Sequence, residues 1–180
     1  MEKIKRLERT LVCQGAWISL YRDKMSFANG NTANWDFLHH NGAAAIVAEE
    51  EDGRIVMIRQ WRPGAECEIL ELPAGGINQG EEPKEAAIRE LREETGMLCD
   101  DAKPLIMIQP SPAYNDEKVS IFSCTVTGKT DIELDENEYI TIEHYSLDEL
   151  IAMIMEGKIS DSKTVAGLFA YREMIAKEKA

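Results

Sequence analysis

Three glutamates within five residues form the most informative chemical group in this sequence: Glu90, Glu93 and Glu94. On a helix, residues three and four apart are neighbours, so these carboxylates fall on one face and repel one another. Arg89, four residues before Glu93, can neutralise part of this charge. Because Mg²⁺ prefers oxygen ligands and is often bound beside a substrate phosphate, the pattern suits a divalent-cation site. The alternative is a solvated, glutamate-rich helix face.

A glycine-containing loop and clear helix signals surround these carboxylates. The run from Leu72 to Gly76 is expected to interrupt regular structure, and its glycines let backbone carbonyls approach a ligand. Pro83 is favourable in the first turn of a helix, and Gly96 is a typical helix stop. We therefore predict a helix from Pro83 to Gly96 that places the carboxylates beside the loop.

The rest of the chain predicts an α+β fold in which helices pack on a mixed sheet. Residues 1–40 are typical of a small antiparallel β-meander, which is too small to bury a core alone. We expect this meander to pack on another surface, such as a second copy of the chain, beside a main domain of residues 41–180. In the main domain we predict strands at 43–48, 54–59, 105–109, 119–126 and 139–145, and helices beginning at Ser146 and Ser162.

Composition restricts the kinds of partner. The 180 residues are 44% hydrophobic and 29% charged, enough for one core and a small appendage. A net charge of −13 repels nucleic acid and anionic membranes, so a phosphate-bearing ligand requires a bridging cation. We find no export signal and no stretch apolar enough to span a membrane. The four cysteines lack zinc-site spacing, so we expect free thiols in a cytoplasmic protein.

The segment from Gly75 to Met97 resembles the Nudix box, Gly-x5-Glu-x7-Arg-Glu-apolar-x-Glu-Glu-x-Gly-apolar, and it matches at every specified position. The resemblance implies a hydrolase that acts on nucleoside diphosphates linked to another group. It also implies the Nudix fold, in which a mixed β-sheet is sandwiched between helices. The N-terminal meander would be an addition to that fold.

The resemblance implies roles for individual residues of the box and its surroundings. Mg²⁺, or Mn²⁺ as a substitute, would be bound by three groups: Glu90, Glu94 and the backbone carbonyl of Ala74. Glu93 would lie near the metals and is a further candidate ligand and catalytic residue. Arg89 would orient the glutamates, and Glu81 would support the loop.

Short motifs outside the box resemble the ADP-ribose and ADP-sugar diphosphatase branch of the family. Residues 59–62, Arg-Gln-Trp-Arg, are similar to its Gln-aromatic-Arg motif, and residues 71–75, Glu-Leu-Pro-Ala-Gly, to its entry into the box. Pro112 follows Met97 by 15 residues, a spacing similar to the proline marker of that branch. These motifs imply substrate-binding roles for Arg62, Glu71 and Pro112. The planar fork of Arg62 suits a pair of diphosphate oxygens, and a surface salt bridge is its alternative role.

The chemistry also needs a base, because water is a poor nucleophile until a carboxylate or a metal helps to remove its proton. In the branch that the sequence resembles, this glutamate comes from a loop before a late strand, which here corresponds to residues 134–140. Glu138, directly before the strand, matches best, and Glu136 is the second candidate. An ordinary acidic hairpin tip is the alternative.

The aromatic residues of the meander are candidates for binding the base. A purine needs an apolar slot with stacking faces. By strand position, Trp17 and Trp35 resemble the aromatic residues that sandwich adenine at the dimer interface of animal ADP-sugar diphosphatases, where the N-terminal piece reaches across to the partner. Core or interface tryptophans are the alternative. Asp36 and His40 are candidates for polar contacts, and His40 stands where relatives usually carry a basic residue.

Together these features predict a Mg²⁺-dependent diphosphatase acting on a nucleotide sugar, with ADP-ribose as the first choice and AMP and ribose 5-phosphate as products. We expect a cytoplasmic homodimer with N-terminal exchange. One alternative is another substrate, such as ADP-glucose, GDP-mannose or an oxidised nucleotide, because fold does not select the leaving group. The other is a non-catalytic nucleotide-sugar sensor, which we would expect to have lost the glutamates that this chain keeps.

Overall fold

A computed structural model describes residues 3–16, 18–134 and 139–178 of the chain. It contains two compact units, the first comprising Met1–Gly42 and Gln109–Lys118 and the second Ala43–Ile108 and Val119–Ala180. Residues 109–118 fall within the main domain predicted from the sequence, whereas the structure groups them with the first unit. The Leu38 N–H donates to the Tyr114 carbonyl oxygen at 2.8 Å, a backbone contact that leaves no sequence pattern. None of the helices in the described ranges is both long and apolar enough to cross a bilayer.

The first unit contains a three-stranded antiparallel sheet, as the predicted meander requires. Its strands, in spatial order, are β1 (Ile4–Gln14), β2 (Ser19–Phe27) and β3 (Thr32–His39). Because directly opposite residues of antiparallel strands share a face, Arg9, Asp23 and Trp35 lie on one face. Arg9 donates to both oxygens of Asp23, at 2.7 and 2.6 Å, and its guanidinium lies 3.6 Å from the ring centroid of Phe37.

The second unit is built around a seven-stranded sheet. Its strands are β4 (Ala43–Glu49), β5 (Arg54–Arg62), β6 (Cys67–Glu71), β7 (Ala74–Gly76), β9 (Lys103–Ile108), β10 (Val119–Thr125) and β12 (Ile140–Ser146), while β8 (Met97–Leu98) and β11 (Gly128–Lys129) form a small separate pair. The helices are α1 (Pro83–Thr95), α2 (Leu147–Met155) and α3 (Ser162–Glu178). The order is β12-β5-β4-β10-β9, with β6 beside β5 and β7 beside β4. Only β4 and β10 pair in parallel among the described pairs, so the sheet is mixed.

Strand β4 supplies side chains to two hydrophobic cores because successive residues of a strand point to opposite faces. Ala45 and Val47 belong to one core with Leu168 and Tyr171 of α3. Ala44, Ile46 and Ala48 belong to the other core, which contains three residues of α1: Ala86, Ala87 and Leu91. The sheet therefore lies between α1 on one face and α3 on the other. This confirms the predicted fold class, a mixed sheet sandwiched between helices.

One local expectation about this fold is wrong. Residues 72–76 were expected to break regular structure, but Ala74–Gly76 form strand β7. Ala74 lies opposite Ala45, and Gly76 lies opposite Ala43 of β4. Three residues are too few to show an alternating pattern, and their small side chains are explained by the close packing of α1 described below.

Candidate active site

Helix α1 begins and ends where its sequence signals predict. Pro83 occupies the first turn, and Gly96 takes the left-handed conformation with φ +68°. A Cβ added to Gly96 would lie 2.4 Å from the Thr130 carbonyl oxygen, so glycine is required here both for its conformation and for space. Ala87 and Leu91 face the core, which leaves the glutamates on the side of the helix next to β7.

Two carboxylates of α1 meet the backbone of consecutive residues in β7. Glu94 is 3% exposed, and its Oε2 accepts a hydrogen bond from the Ala74 N–H at 2.9 Å. Glu90 packs against Gly75 so closely that a Cβ there would lie 2.3 Å from both the carboxylate carbon and Oε1. The predicted metal-binding glutamates and the predicted loop residues are therefore brought together by the structure.

Arg89 links the remaining acidic groups of the box. It donates to Glu81 from Nε at 2.7 Å and from Nη2 at 3.0 Å, and to the Gly76 carbonyl oxygen at 3.0 Å. Its Nη1 donates to Glu90 at 2.7 Å and to Glu93 at 2.9 Å. The hydrogen bond to Glu81 is the main cause of the raised pKa of Arg89, and in return Arg89 lowers the pKa of Glu81. Arg89 thus remains charged and holds three carboxylates together.

The donor set suits a hard cation, because it consists of carboxylate and carbonyl oxygens beside glycine residues. In the ranges that the structure describes, however, no three acidic, histidine or cysteine side chains are arranged to hold a metal ion. The carboxylate of Glu94 is engaged with the Ala74 N–H, and those of Glu90 and Glu93 are engaged with Arg89. The hydrogen bonds to Glu90 and Glu94 each use a single oxygen of the carboxylate.

A second charged cluster surrounds Glu71, the last residue of β6. Glu71 is 1% exposed, and its Oε1 accepts from Nε of Arg62 at 2.6 Å while its Oε2 accepts from Nζ of Lys163. Lys163 also donates to Asp161 at 3.0 Å. The pKa of Asp161 is lowered: burial acts to raise it, but the charge of Lys163 and the hydrogen bonds from Thr164 outweigh that effect. This cluster ties the segment before the box to the start of α3.

The sequence identified Arg62 and Glu71 but missed Lys163 and Asp161. The two missed residues lie about 90 positions after Glu71, at the start of a helix with an ordinary sequence. A lysine next to a helix start carries no periodic or motif signal of its own. The Thr164 hydroxyl accepts a hydrogen bond from the Leu72 N–H at 2.9 Å. The backbone of the Glu-Leu-Pro-Ala-Gly segment is therefore also bound to a residue that the motifs do not include.

The candidate substrate residues of the first unit are spread over both faces of its sheet. Trp35 is 45% exposed and contacts Phe27 edge-on, with ring centroids 5.8 Å apart. Asp36 points to the opposite face, where it pairs with Arg22 at 3.4 Å. Pro112 lies within a turn in which the Tyr114 and Asn115 N–H groups donate to the Ser111 carbonyl oxygen.

His40 and the neighbouring His39 are both tied to the segment 109–118. The His40 N–H donates to Asp116 at 3.0 Å, and Nδ1 of His39 lies 2.8 Å from the same carboxylate. Three further predictions, the aromatic residue Trp17 and the candidate bases Glu136 and Glu138, lie outside the described residues. Their roles stay predictions.

Comparison with known proteins agrees with the box and the fold. The NUDIX domain model matches residues 38–168. A methanol dehydrogenase activator of Bacillus methanolicus is 35% identical over 163 residues, which cover 89% of this chain and 88% of that protein. An ADP-ribose pyrophosphatase of Bacillus subtilis is 31% identical over 162 residues, with 89% and 88% covered.

A crystal structure of an ADP compounds hydrolase has the same fold, with a TM-score of 0.87 at 23% identity over 99% of this chain and 97% of that chain. The family predicted from the box is therefore confirmed by sequence and fold alike, and its relatives include ADP-ribose pyrophosphatases, the branch that the shorter motifs resemble. The chain belongs to the Nudix hydrolase family.

Proposed function

We propose that this Nudix hydrolase cleaves the diphosphate of a nucleoside diphosphate sugar in a Mg²⁺-dependent reaction, with ADP-ribose as its preferred substrate and AMP and ribose 5-phosphate as products. The observation that carries the proposal is the convergence of Glu90 and Glu94 on the backbone of Ala74 and Gly75. Two relatives point the same way, since their names describe enzymes acting on ADP-ribose and on ADP compounds.

Metal binding is the first part of the proposal. Glu90, Glu94 and the Ala74 carbonyl would hold Mg²⁺, with Glu93 beside them and Mn²⁺ as a substitute. Bound there, the metal supplies neutralisation of the diphosphate charge and a lowered pKa for an attacking water. The net charge of −13 supports this assignment, because an anionic substrate would otherwise meet a strongly acidic protein.

The chain's own residues divide the remaining work. Arg89 keeps Glu81, Glu90 and Glu93 in one cluster, and Arg62 offers its guanidinium to a diphosphate oxygen. Glu138, with Glu136 as the second candidate, would accept the proton of the attacking water. Breaking of the P–O bond is then assisted by charges that are already in position, so that no reorganisation is needed to stabilise the charged transition state.

Adenine recognition and dimer formation are linked in the proposal. Trp17 and Trp35 would form the stacking slot for the base, completed by the N-terminal piece of a second copy in a cytoplasmic homodimer. Four apolar side chains of the first strand support an intermolecular contact because they are about half exposed: Ile4, Leu7, Leu11 and Val12. Exposed apolar side chains on an edge strand are often covered by a partner.

A substrate panel is the direct test. Hydrolysis of ADP-ribose, ADP-glucose, GDP-mannose, NADH and 8-oxo-dGDP is measured with Mg²⁺, beside the variant Glu94→Gln. NADH belongs in the panel because one relative is named for a dehydrogenase. We expect ADP-ribose to be hydrolysed fastest and the variant to lose more than the roughly 10- to 100-fold typical of residues around a metal's ligands.

Each other outcome rejects a specific part of the proposal. Faster hydrolysis of another nucleotide keeps the metal chemistry and rejects the adenine slot. Binding of a nucleotide sugar without hydrolysis of any substrate rejects the enzyme and favours the sensor alternative. Full activity of Glu94→Gln would reject the assignment of the metal ligands.

A further inference from the structure

The buried carboxylate of Glu71 is shared between two cations from distant parts of the chain. Its Oε1 accepts from Nε of Arg62 at 2.6 Å, and its Oε2 accepts from Nζ of Lys163. The side chains of Glu71 and Lys163 are 1% and 13% exposed, so the contact is largely shielded from water. With Asp161, which also binds Lys163, the cluster contains two cations and two anions and is electrically balanced.

The geometry of Arg62 differs from that of the three arginines in the described residues that bind both oxygens of one carboxylate. An arginine normally binds a carboxylate with two donors, one to each oxygen, because its planar fork matches that group. Three pairs here do so, each using Nε and Nη2: Arg9–Asp23 at 2.7 and 2.6 Å, Arg59–Glu143 at 2.5 and 3.3 Å, and Arg89–Glu81 at 2.7 and 3.0 Å. Arg62 instead makes one contact, and the second oxygen of Glu71 is occupied by Lys163.

Because Lys163 occupies Oε2 of Glu71, the Nη groups of Arg62 are not used in this ion pair. Within the described part of the chain, its two Nη groups have no hydrogen-bond partner, although the side chain is only 36% exposed. The pKa of Arg62 is raised: burial acts to lower it, but Glu71 and the nearby charges of Glu94 and Asp161 outweigh that effect. The guanidinium of Arg62 is thus charged and held through Nε, near the proposed metal ligand Glu94, and its Nη groups are available to an anion.

We propose that Lys163 is a positioning residue that blocks a two-point Arg62–Glu71 pair and so keeps the Nη groups of Arg62 available for a phosphate of the substrate. Asp161 and Thr164 hold Lys163 in place, since Asp161 accepts from Nζ of Lys163 and from the Thr164 hydroxyl at 2.6 Å. Lys163 does not touch the substrate in this arrangement. Its removal would free Oε2 of Glu71, and Arg62 would turn to bind both oxygens.

The inference rests on the proposed function, and a double-mutant cycle tests it. KM and kcat for ADP-ribose are measured for Lys163→Met, Arg62→Met and the double variant. We expect Lys163→Met to raise KM on the order of 10-fold with little change in kcat, which corresponds to one lost charge-assisted hydrogen bond. The double variant should have the same KM as Arg62→Met, because Lys163 acts only through Arg62.

Two controls separate positioning from general damage. Lys158→Met removes an exposed lysine shortly before α3, and it should leave KM unchanged. Leu168→Ala destabilises the same helix from the core, and it should lower the melting temperature without raising KM. If Lys163→Met does not fold, the cycle is run with Lys163→Gln and interpreted in the same way.

Binding of inorganic diphosphate in the presence of Mg²⁺, measured by calorimetry on the same variants, separates this inference from the proposed function. Suppose that no nucleotide sugar is hydrolysed, but that Lys163→Met weakens diphosphate binding only when Arg62 is present. The proposed function then fails and the inference stands. A 10-fold loss caused by Lys163→Met that persists undiminished in the Arg62→Met background overturns the inference. An unchanged KM and an unchanged diphosphate affinity in Lys163→Met overturn it as well.

Discussion

Glu90 lies against Gly75 without room for a single additional carbon atom, since a Cβ at this position would be 2.3 Å from the Glu90 carboxylate. The contact joins the helix that carries the acidic residues to the strand that carries the candidate carbonyl ligand. The neighbouring pair, Glu94 and the Ala74 N–H, makes the same connection by a hydrogen bond of 2.9 Å. These two contacts therefore fix the position of α1 relative to β7.

Gly75→Ala should abolish most of the activity, because the added methyl group must push the Glu90 carboxylate out of place. A displacement of about 1 Å at a reacting centre costs roughly 100-fold in rate. Gly76→Ala is the matched control, since a Cβ at Gly76 meets nothing within 4 Å. Steady-state kinetics with ADP-ribose compare the two variants. Wild-type kcat in Gly75→Ala would show that Glu90 does not need its observed position.

Arg89→Lys should impair both stability and activity, because an ammonium group cannot replace a fork that contacts Glu81, Glu90 and Glu93 together. We expect the free energy of unfolding to fall by about 2 kcal/mol and kcat by roughly 10- to 100-fold. Denaturant unfolding and kinetics measure these effects. Arg92→Lys, at a more exposed pair with Glu133, should change stability by less than about 0.5 kcal/mol. Equal effects of the two substitutions would contradict the central role of Arg89.

The Asp23–Arg9 pair should make the first unit sensitive to acid. The hydrogen bond from Arg9 lowers the pKa of Asp23 from its ordinary value of 3.8. A carboxylate whose pKa is lowered by folding contributes stability that is complete above its unfolded pKa and is lost as the pH falls through its folded pKa. Asp23→Asn should therefore destabilise the protein at pH 7, by roughly 2 kcal/mol because Asp23 is buried, and by progressively less below pH 3.8.

Thermal or denaturant unfolding of wild type and Asp23→Asn across pH 2.5 to 7 measures this difference, roughly the range over which aspartates titrate. Asp36→Asn is the control, because the Asp36–Arg22 pair is exposed on the opposite face of the same sheet. A stability difference between wild type and Asp23→Asn that stays constant down to the lowest pH would mean that the ion pair is not its cause.

Leu11→Glu should convert the proposed dimer to a monomer. Leu11 is 48% exposed on the face of the first sheet that carries Tyr21 and Phe37, and a charge cannot be buried there against a partner. Thr10→Glu adds the same charge to the opposite face and should leave the dimer intact. Sedimentation at micromolar concentration distinguishes the two. A monomeric wild-type protein would reject the dimer itself, whereas a dimeric Leu11→Glu variant would place its interface elsewhere.

Local signals explain what could be predicted from the sequence. Pro83 and Gly96 mark the ends of α1, because each restricts or permits a backbone conformation at its own position. The spacing of Glu90 and Glu94 places both on one face of the helix. The continuous apolar run of β4 indicates burial on two sides, as its two cores show. These features depend on neighbours within a few positions, so the sequence contains them directly.

Features that depend on distant pairing could not be predicted in the same way. The contact of Lys163 with Glu71 joins residues 92 positions apart, and no periodic pattern connects them. Residues 109–118 are joined to the first unit by a backbone hydrogen bond from Leu38 to Tyr114 and by contacts of Asp116 with His39 and His40, and all of these partners lie more than 70 positions apart in the sequence. By contrast, the placement of Trp35 and Asp36 on opposite faces of the sheet could have been predicted, because side chains alternate along a strand.

The chain segment that leads to the candidate base loop is joined to α1 and its C-terminal Gly96 by two main-chain hydrogen bonds, in addition to the exposed ion pair between Arg92 and Glu133. The Thr130 N–H donates to the Gly96 carbonyl oxygen at 2.7 Å, and the Glu133 N–H donates to the Glu93 carbonyl oxygen at 3.0 Å. Bonds of this kind are indifferent to the identity of the side chains but not to the number of residues between them. Residues 131 and 132 should therefore accept substitution freely and reject the insertion or deletion of even one residue, so that in the evolution of this enzyme the length of this connection is held constant while its sequence is free to drift.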